Sequence, residues 1–473
     1  MSEDPQPGAN RANRTSGEQM PDSPPSPHPP RTSTSSDAEE TGGLAWALRA
    51  LRSRNYRLFF GGQAISLVGT WMQSVALSWL VYQMTHSAWL LGIVGFSSQI
   101  ATFLISPFGG VWVDRWDRRR LLIITQSLLM LQAFALATLT LRGVITIWQI
   151  VALSTFAGLI NGFDMAGRQA FVIEIVGDRK HLSNAIALNS ATFNSARLIG
   201  PSIAGVAIAA MGEGMVFLIN AVSYLAVIAG LMAIRPPGGR ARKSNQTGAV
   251  QGLLEELTYV ANFPPIRSIL LLLAMTSLVG TPYTVLMPVF AGKVLGGNAH
   301  TLGYLMGAIG VGALSGAIFL AGRKTVLGLG NWIPIAATLF GLGLIGFALS
   351  RWLWMSLPIL AVTGFGMMVQ AASSNTLLQT IVDDEKRGRV MGLYAAAFVG
   401  MTPFGSLLAG WVAAKIGAPI AVASGGLLCI AGAVIFSRKL PALRKHVLPI
   451  YFAMGILPDL AGISGRREPP DAE

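Results

Sequence analysis

Three charged residues stand inside long apolar stretches of the sequence, where a lipid environment makes an isolated charge unfavourable. Asp164 and Arg168 are four residues apart in one stretch, and Arg197 lies in the next. Counted at about 1.5 Å per residue from the short polar segment between these stretches, Asp164 and Arg197 reach a similar depth. Asp164 can therefore pair with Arg197, or with Arg168 one helical turn away.

These charges have two interpretations, and the sequence leaves both open. A carboxylate that loses its neighbouring cation gains affinity for a proton, so Asp164 can couple a proton to a conformational change. In the second interpretation the arginines keep Asp164 charged at all times, as a structural ion pair or as an anchor for a polar substrate.

Uncharged polar residues recur at helical spacing in several apolar stretches. Such stripes predict either the wall of a substrate path or hydrogen bonds between helices, because both use the same residue types. They comprise Gln63, Ser66, Thr70 and Gln73 in the first stretch, Asn161 beside Asp164, Asn194 beside Arg197, and Asn375 with Gln379 near the end of the tenth.

The sequence lacks the residue sets of a membrane enzyme. All five histidines fall outside the apolar cores, and no HExxH, G-x-S-x-G or P-loop pattern occurs. Cys429 is the single cysteine, which leaves no disulfide framework and no cysteine-based metal site. We therefore expect no catalytic residues, no metal and no cofactor.

The composition indicates what positions these residues. Of 473 residues, 52% are hydrophobic and 12% charged, about half the charge of an ordinary soluble domain. Apolar runs long enough to span a bilayer predict an all-α membrane protein with twelve transmembrane helices. They cover about 57–83, 88–113, 121–141, 146–176, 184–210, 214–234, 268–292, 301–322, 330–350, 353–381, 391–414 and 419–437.

A long polar loop divides these runs into two groups of six. The sequence around 172–180 is similar to that around 378–386, which indicates that the halves are repeats. We predict a disordered tail at 1–42, a first half at 43–234 that begins with an amphipathic segment, a linker at 235–267 with a short amphipathic helix, a second half at 268–438 and a tail at 439–473.

Basic residues set the predicted orientation. Of 35 Lys and Arg residues, 29 lie on the side of the chain termini and 4 on the opposite side. The positive-inside rule places both termini in the cytoplasm. This asymmetry and the attraction of anionic lipids account for the net charge of +13, so we expect no nucleic-acid partner.

The loop after the second run, from Gly110 to Arg120, reads Gly-Val-Trp-Val-Asp-Arg-Trp-Asp-Arg-Arg-Arg. It resembles the G-x-x-x-D-R-x-G-R-R loop of the major facilitator superfamily, with Asp117 where many members have Gly. The resemblance implies the two-half major facilitator fold. It also implies a cytoplasmic latch, formed here by Gly110, Asp114, Arg115, Arg118 and Arg119.

Further stretches resemble the bacterial group of enterobactin exporters and macrolide efflux proteins. They are 55–60, 167–170 and 196–201, and the likeness extends over about 50–440. Gly200, Pro201 and Gly205 resemble a loose form of the antiporter motif of drug exporters, although a packing kink explains them equally well.

The resemblance implies a secondary transporter in a bacterial inner membrane, exporting a small molecule by alternating access with the proton gradient as driving force. We expect it to act as a monomer. The alternatives are an importer or facilitator of the same fold and, less favoured, a channel or membrane enzyme. The sequence leaves the substrate open among siderophores, macrolides, other drugs and metabolites.

Overall fold

The regular structure is helical throughout the part of the chain that the computed structural model describes, residues 51–113, 116–176, 179–234, 258–323 and 325–454. Within these ranges, eleven helices are long and apolar enough to cross a membrane, which confirms the all-α membrane class. They are α1 (Arg54–Thr85), α2 (Ala88–Val113), α3 (Arg118–Leu141), α4 (Ile147–Val176), α5 (Arg179–Ala233), α6 (Pro264–Val294), α7 (Ala299–Ala321), α8 (Leu329–Leu349), α9 (Leu353–Ile381), α10 (Lys386–Ile416) and α11 (Ala418–Ala453).

Short polar side chains mark where several helices begin. The Ser53 hydroxyl accepts a hydrogen bond from the Tyr56 N–H at the start of α1. Asp117 does the same for the Arg120 N–H at 2.9 Å, so the residue that departs from the family loop is the N-cap of α3. Each cap satisfies one of the backbone donors that the first helical turn leaves unpaired.

Helix α5 combines two of the predicted runs. Its 55 residues would extend about 80 Å at 1.5 Å per residue, far more than the roughly 30 Å of bilayer hydrocarbon. The chain reverses at Gly212, whose φ of 80° is accessible to glycine and unfavourable for other residues. The beginning of α1 contacts both ends of α5, through Tyr56 with Ala185 and through Leu58 with Gly230. We call 179–211 the first arm of α5 and 213–233 the second arm.

Helix α6 departs from regular α geometry in its middle. A π-helical turn at Thr276–Gly280 is followed by a 3₁₀ turn at Thr281–Thr284. Prolines at 282 and 288 contribute, because each lacks the N–H that an α-helix requires. This irregular stretch carries Tyr283 at the boundary between the two halves.

The two halves, which we take as 51–234 and 258–454, share one hydrophobic core at only one end of the bundle. At that closed end both halves contribute to a single cluster that includes Trp79, Phe217, Phe290 and Phe347. At the other, open end each half has its own cluster, represented by Tyr56, Phe171 and Leu231 in the first half and by Ile266, Leu378 and Phe436 in the second.

Glycines allow the halves to meet at the closed end. A Cβ added to Gly205 on the first arm of α5 would lie 2.9 Å from the Cα of Gly303 on α7. A Cβ added to Gly410 on α10 would lie 2.8 Å from the Cα of Gly92 on α2. Real Cβ atoms do not approach this closely, so these contacts require glycine.

The last helix continues past the predicted boundary at 438. Leu440, Leu443, Val447 and Tyr451 recur at helical spacing and pack on the open-end cluster of the second half. Residues 439–453 therefore extend α11 and contribute to that cluster. The predicted tail at 1–42, most of the linker and residues 455–473 lie outside the described residues.

Candidate functional site

The helices of the first half surround a cavity of about 490 Å³. The predicted stripe on α1 lines it, and so do the charged pair and the polar residue before it on α4. These residues are Gln63, Ser66, Thr70, Gln73, Asn161, Asp164 and Arg168. Two of the stripes that the sequence left ambiguous, those on α1 and α4, thus meet at one surface.

Asp164 is the one acidic residue among the described residues that line this cavity, and its exposed fraction is 1%. Its Oδ1 accepts hydrogen bonds from the Thr125 hydroxyl at 2.8 Å and from the Gln126 amide at 2.7 Å. Its Oδ2 pairs with the guanidinium of Arg168. Of the two partners considered from the sequence, the structure selects Arg168. Arg168 is half-buried and covers Asp164 on the cavity side.

Three polar atoms of residues that line this cavity have no hydrogen-bond partner among the described residues. They are the Oε1 of Gln126, the Nε of Arg168 and the Oγ of Ser154. An unpaired buried polar atom is unfavourable by about 1–3 kcal/mol. The group is therefore suited to binding water, a proton or a polar ligand at this wall.

A second polar network connects α1 with α3 and the second arm of α5. The Gln73 amide donates to the Oε1 of Gln132 at 3.2 Å, and the Asn220 amide donates to the Oε1 of Gln73 at 2.8 Å. One helical turn away, the hydroxyls of Thr70 and Tyr224 are 3.5 Å apart. Gln73 thus lines the cavity and also joins three helices, so both interpretations of the α1 stripe apply to it.

Arg197 does not pair with Asp164. Its guanidinium carbon lies 5.8 Å from the centre of the Trp71 ring, and no carboxylate in the described part of the chain forms an ion pair with it. A cation near the bilayer centre is unfavourable by about 2.5–3.5 kcal/mol on insertion scales, and a cation–π contact returns about 0.5–2 kcal/mol. The contact with Trp71 therefore offsets only part of this penalty.

The predicted latch loop is only partly described. Gly110 lies on α2, while Asp114 and Arg115 lie outside the described residues. Arg118 pairs with Glu174 near the end of α4, at 3.4 Å. Arg119 donates two hydrogen bonds of 2.7 Å to the carbonyls of Leu231 and Met232. The loop thus ties α3 to the ends of α4 and α5 within the first half.

The predicted kink residues on the first arm of α5 have distinct neighbours. A Cβ added to Gly200 would lie 2.6 Å from the Cβ of Trp71, so this glycine lets α5 approach α1. Pro201 lies within the helix, one turn before the contact between Gly205 and Gly303. Packing against α1 and α7 accounts for both glycines.

The remaining predicted residues lie apart from this cavity. The Asn194 amide donates to the Ser190 carbonyl at 2.9 Å, within its own helix. The Gln379 amide donates to Asn375 at 2.5 Å on α9. Conversely, sequence reasoning missed the lining residues of α2 and α3. Ser98 and Thr102 on α2, and Gln126 and Gln132 on α3, are polar residues in apolar runs, and that signal was available.

Comparison with known proteins agrees with this architecture. Residues 45–450 match the profile of a major facilitator family described as transmembrane secretion effector. The chain is 28% identical to the staphyloferrin A transporter of Staphylococcus aureus, over 74% of this chain and 88% of the relative. It is 28% identical to the multidrug efflux pump Tap of Mycolicibacterium fortuitum, over 81% and 92%. It is 26% identical to the enterobactin exporter EntS of Shigella boydii, over 79% and 89%.

A solved structure shares the fold. The crystal structure of a bacterial homologue of the human lysosomal transporter Spinster superposes with a TM-score of 0.63 at 13% identity, covering 86% of this chain and 99% of that one. The family and these relatives are transporters rather than enzymes. The match over most of the chain shows that the protein is a multi-pass membrane transporter of the transmembrane secretion effector family within the major facilitator superfamily, similar to efflux proteins.

Proposed function

We propose that the protein is a secondary active exporter of a small organic molecule in a bacterial inner membrane. The observation that carries the proposal is the polar cavity of the first half, which contains the buried Asp164–Arg168 pair, in a bundle whose halves meet at one end. The efflux pump and the enterobactin exporter among the relatives support export. An importer or facilitator with the same fold is the alternative.

In this proposal the chain crosses the membrane twelve times. The two arms of α5 run in opposite directions on either side of Gly212 and count as two crossings, so the eleven helices supply twelve. An even number brings both termini to one side of the membrane. The excess of Lys and Arg on that side supports a cytoplasmic location for the termini and the open end, where these residues also attract anionic lipids.

Transport then proceeds by alternating access. The substrate enters the cavity from the open end, the two halves rock, and the contacts between Gly205 and Gly303 and between Gly92 and Gly410 separate. Both pairs join backbone to backbone across the halves with no intervening side chain. Such contacts can open and close as rigid surfaces, while the hydrophobic cluster shared at the closed end divides between the halves.

Asp164 couples this motion to the proton gradient, and no resident cofactor takes part. In the conformation described here its carboxylate accepts hydrogen bonds or an ion pair from three neighbours. Arg168 is on the same helix, but Thr125 and Gln126 are on α3. A shift of α3 against α4 within the first half, accompanying the rocking of the halves, removes these two donors together. Loss of these donors favours the protonated form, which gives the two conformations different proton occupancies.

The test begins with a deletion strain, which is screened for accumulated metabolites and drug sensitivity in order to identify the substrate. Purified Asp164→Asn is then reconstituted in proteoliposomes with an imposed pH gradient. We expect gradient-driven accumulation to be lost while counterflow of substrate without a gradient is retained, because the substitution removes the proton site and keeps the shape of the side chain.

Glu174→Gln is the matched control, since Glu174 is a half-buried carboxylate in an ion pair outside the cavity. It should retain gradient-driven accumulation. Unchanged accumulation by Asp164→Asn would exclude coupling through this residue. Failure of Asp164→Asn to fold as a monodisperse protein would show instead that the pair is structural. Uptake in the direction opposite to export would favour the importer.

A further inference from the structure

Arg197 has no role in the coupling mechanism proposed above, yet it lies where the halves meet. It belongs to the first arm of α5, about two helical turns before Gly205, so it lies just inside the closed end. Its guanidinium stacks on Trp71, and Trp71 also lines the cavity. Since Asp164 and Arg168 neutralise each other, Arg197 gives this region a net positive charge.

The second half presents a matching donor. Tyr283, on the 3₁₀ turn of α6, lies within range of electrostatic interaction with Arg197. Its side chain is 2% exposed, and its hydroxyl has no hydrogen-bond partner among the described residues. A hydroxyl enclosed without a partner is unfavourable unless some state of the protein supplies an acceptor. An acidic oxygen between the two side chains would satisfy both of them.

We propose that Arg197, Trp71 and Tyr283 form an anion-binding site beside the cavity, toward the closed end of the bundle, and that the transported substrate is an organic anion. This inference rests on the proposed transport function and specifies its substrate class. The guanidinium binds a carboxylate or phenolate oxygen in a charge-assisted hydrogen bond, and the Tyr283 hydroxyl donates a second. Trp71 provides an apolar surface beside the charge.

The positions of Arg197 and Tyr283 allow one bound anion to contact both halves. Arg197 belongs to the first half and Tyr283 to the second, so a bound anion links them across the interface. Rocking that separates α5 from α6 removes one of the two donors and weakens binding, which favours release on the far side. A substrate that binds two conformations with different affinity is what alternating access requires.

A pair of dyes with one shared scaffold tests the charge preference. Fluorescein and rhodamine 123 have the same xanthene core, and at mildly alkaline pH the first is an anion and the second a cation. Their binding to the full-length protein in nanodiscs, without any proton gradient, is measured by fluorescence anisotropy. We expect the wild-type protein to bind fluorescein more tightly than rhodamine 123.

Three variants assign this preference to the proposed residues. Arg197→Gln should weaken fluorescein binding by about tenfold or more and leave rhodamine 123 binding unchanged or stronger, because a charge-assisted bond is lost. Arg197→Lys should weaken it less, since the charge remains. Tyr283→Phe should weaken fluorescein binding several-fold without lowering the melting temperature, because the hydroxyl forms no bond in the empty site.

Arg142→Gln is the matched control, since it removes an exposed arginine at the end of α3 and should change neither affinity. The proposal is wrong if the wild-type protein binds rhodamine 123 as tightly as fluorescein, or binds neither dye. It is also wrong if Arg197→Gln weakens both dyes equally, which indicates a structural role, or if Arg142→Gln reproduces its effect. Anion binding that persists without gradient-driven transport would overturn the proposed function and leave this site intact.

Discussion

The substitution Gly205→Ala should favour a conformation in which the two halves are separated at the closed end. In the structure the added Cβ would lie 2.9 Å from the Cα of Gly303 and 2.9 Å from the carbonyl oxygen of Ala299. Both neighbours are backbone atoms of α7, so no side-chain rotation relieves the overlap. The clash exists only while the first arm of α5 and α7 are in contact, and an outward rotation of the halves removes it.

The size of the shift follows from the cost of overpacking. One extra methyl group forced into a close-packed contact typically costs about 1–3 kcal/mol. The better helix propensity of alanine applies to both conformations and cancels in their ratio. A penalty of about 1–3 kcal/mol confined to one conformation changes the ratio of the two by roughly 5- to 150-fold.

Distances between spin labels on the two halves measure that ratio. Val144 in the first half and Trp352 in the second lie in exposed loops at the closed end, with exposed fractions of 56% and 75%. Both are replaced by cysteine in a Cys429→Ala background and labelled. Electron–electron double resonance then gives the fraction of molecules at the short distance. We expect this fraction to fall in Gly205→Ala.

Two further glycines on α1 supply controls. A Cβ at Gly61 would meet nothing within 4 Å, so Gly61→Ala should leave the distance distribution unchanged and should not lower the melting temperature. A Cβ at Gly62 would lie 2.7 Å from the Ala226 carbonyl within the same half, so Gly62→Ala should lower the melting temperature without changing the ratio. If Gly205→Ala behaves like either control, the assignment of this contact as a moving gate is refuted.

Two predictions concern the latch loop. Arg119→Gln should lower the free energy of unfolding by about 1.5–3 kcal/mol, because it breaks two charged hydrogen bonds to carbonyls of α5. Arg118→Gln, which removes the partly exposed ion pair with Glu174, should lower it by under about 1 kcal/mol. Equal melting temperatures for Arg119→Gln and Arg118→Gln would contradict this difference. Asp114→Asn should impair transport at normal abundance in the membrane, and full transport by this variant would remove the predicted latch role.

The sequence alone determined the membrane class and the faces of α1 and α4 that line the cavity. Hydropathy and charge are local properties summed along the chain, so the membrane helices follow from composition. The stripe from Gln63 to Gln73 could be recognised because residues three and four apart share one face of any helix. The same local rule made Arg168 a candidate partner of Asp164, and the loop after α2 carried the family resemblance.

Tertiary structure alone decided how those faces meet. The sequence placed Arg197 at the depth of Asp164, but the rotation of α5 about its axis turns its side chain toward Trp71 instead. Thr125 and Gln126 joined the Asp164 group only when α3 packed against α4. Axial rotation and register between helices depend on contacts among residues far apart in sequence, and no local periodicity specifies them. The contact between Gly205 and Gly303 likewise joins residues 98 positions apart in the chain, so no local pattern specifies it.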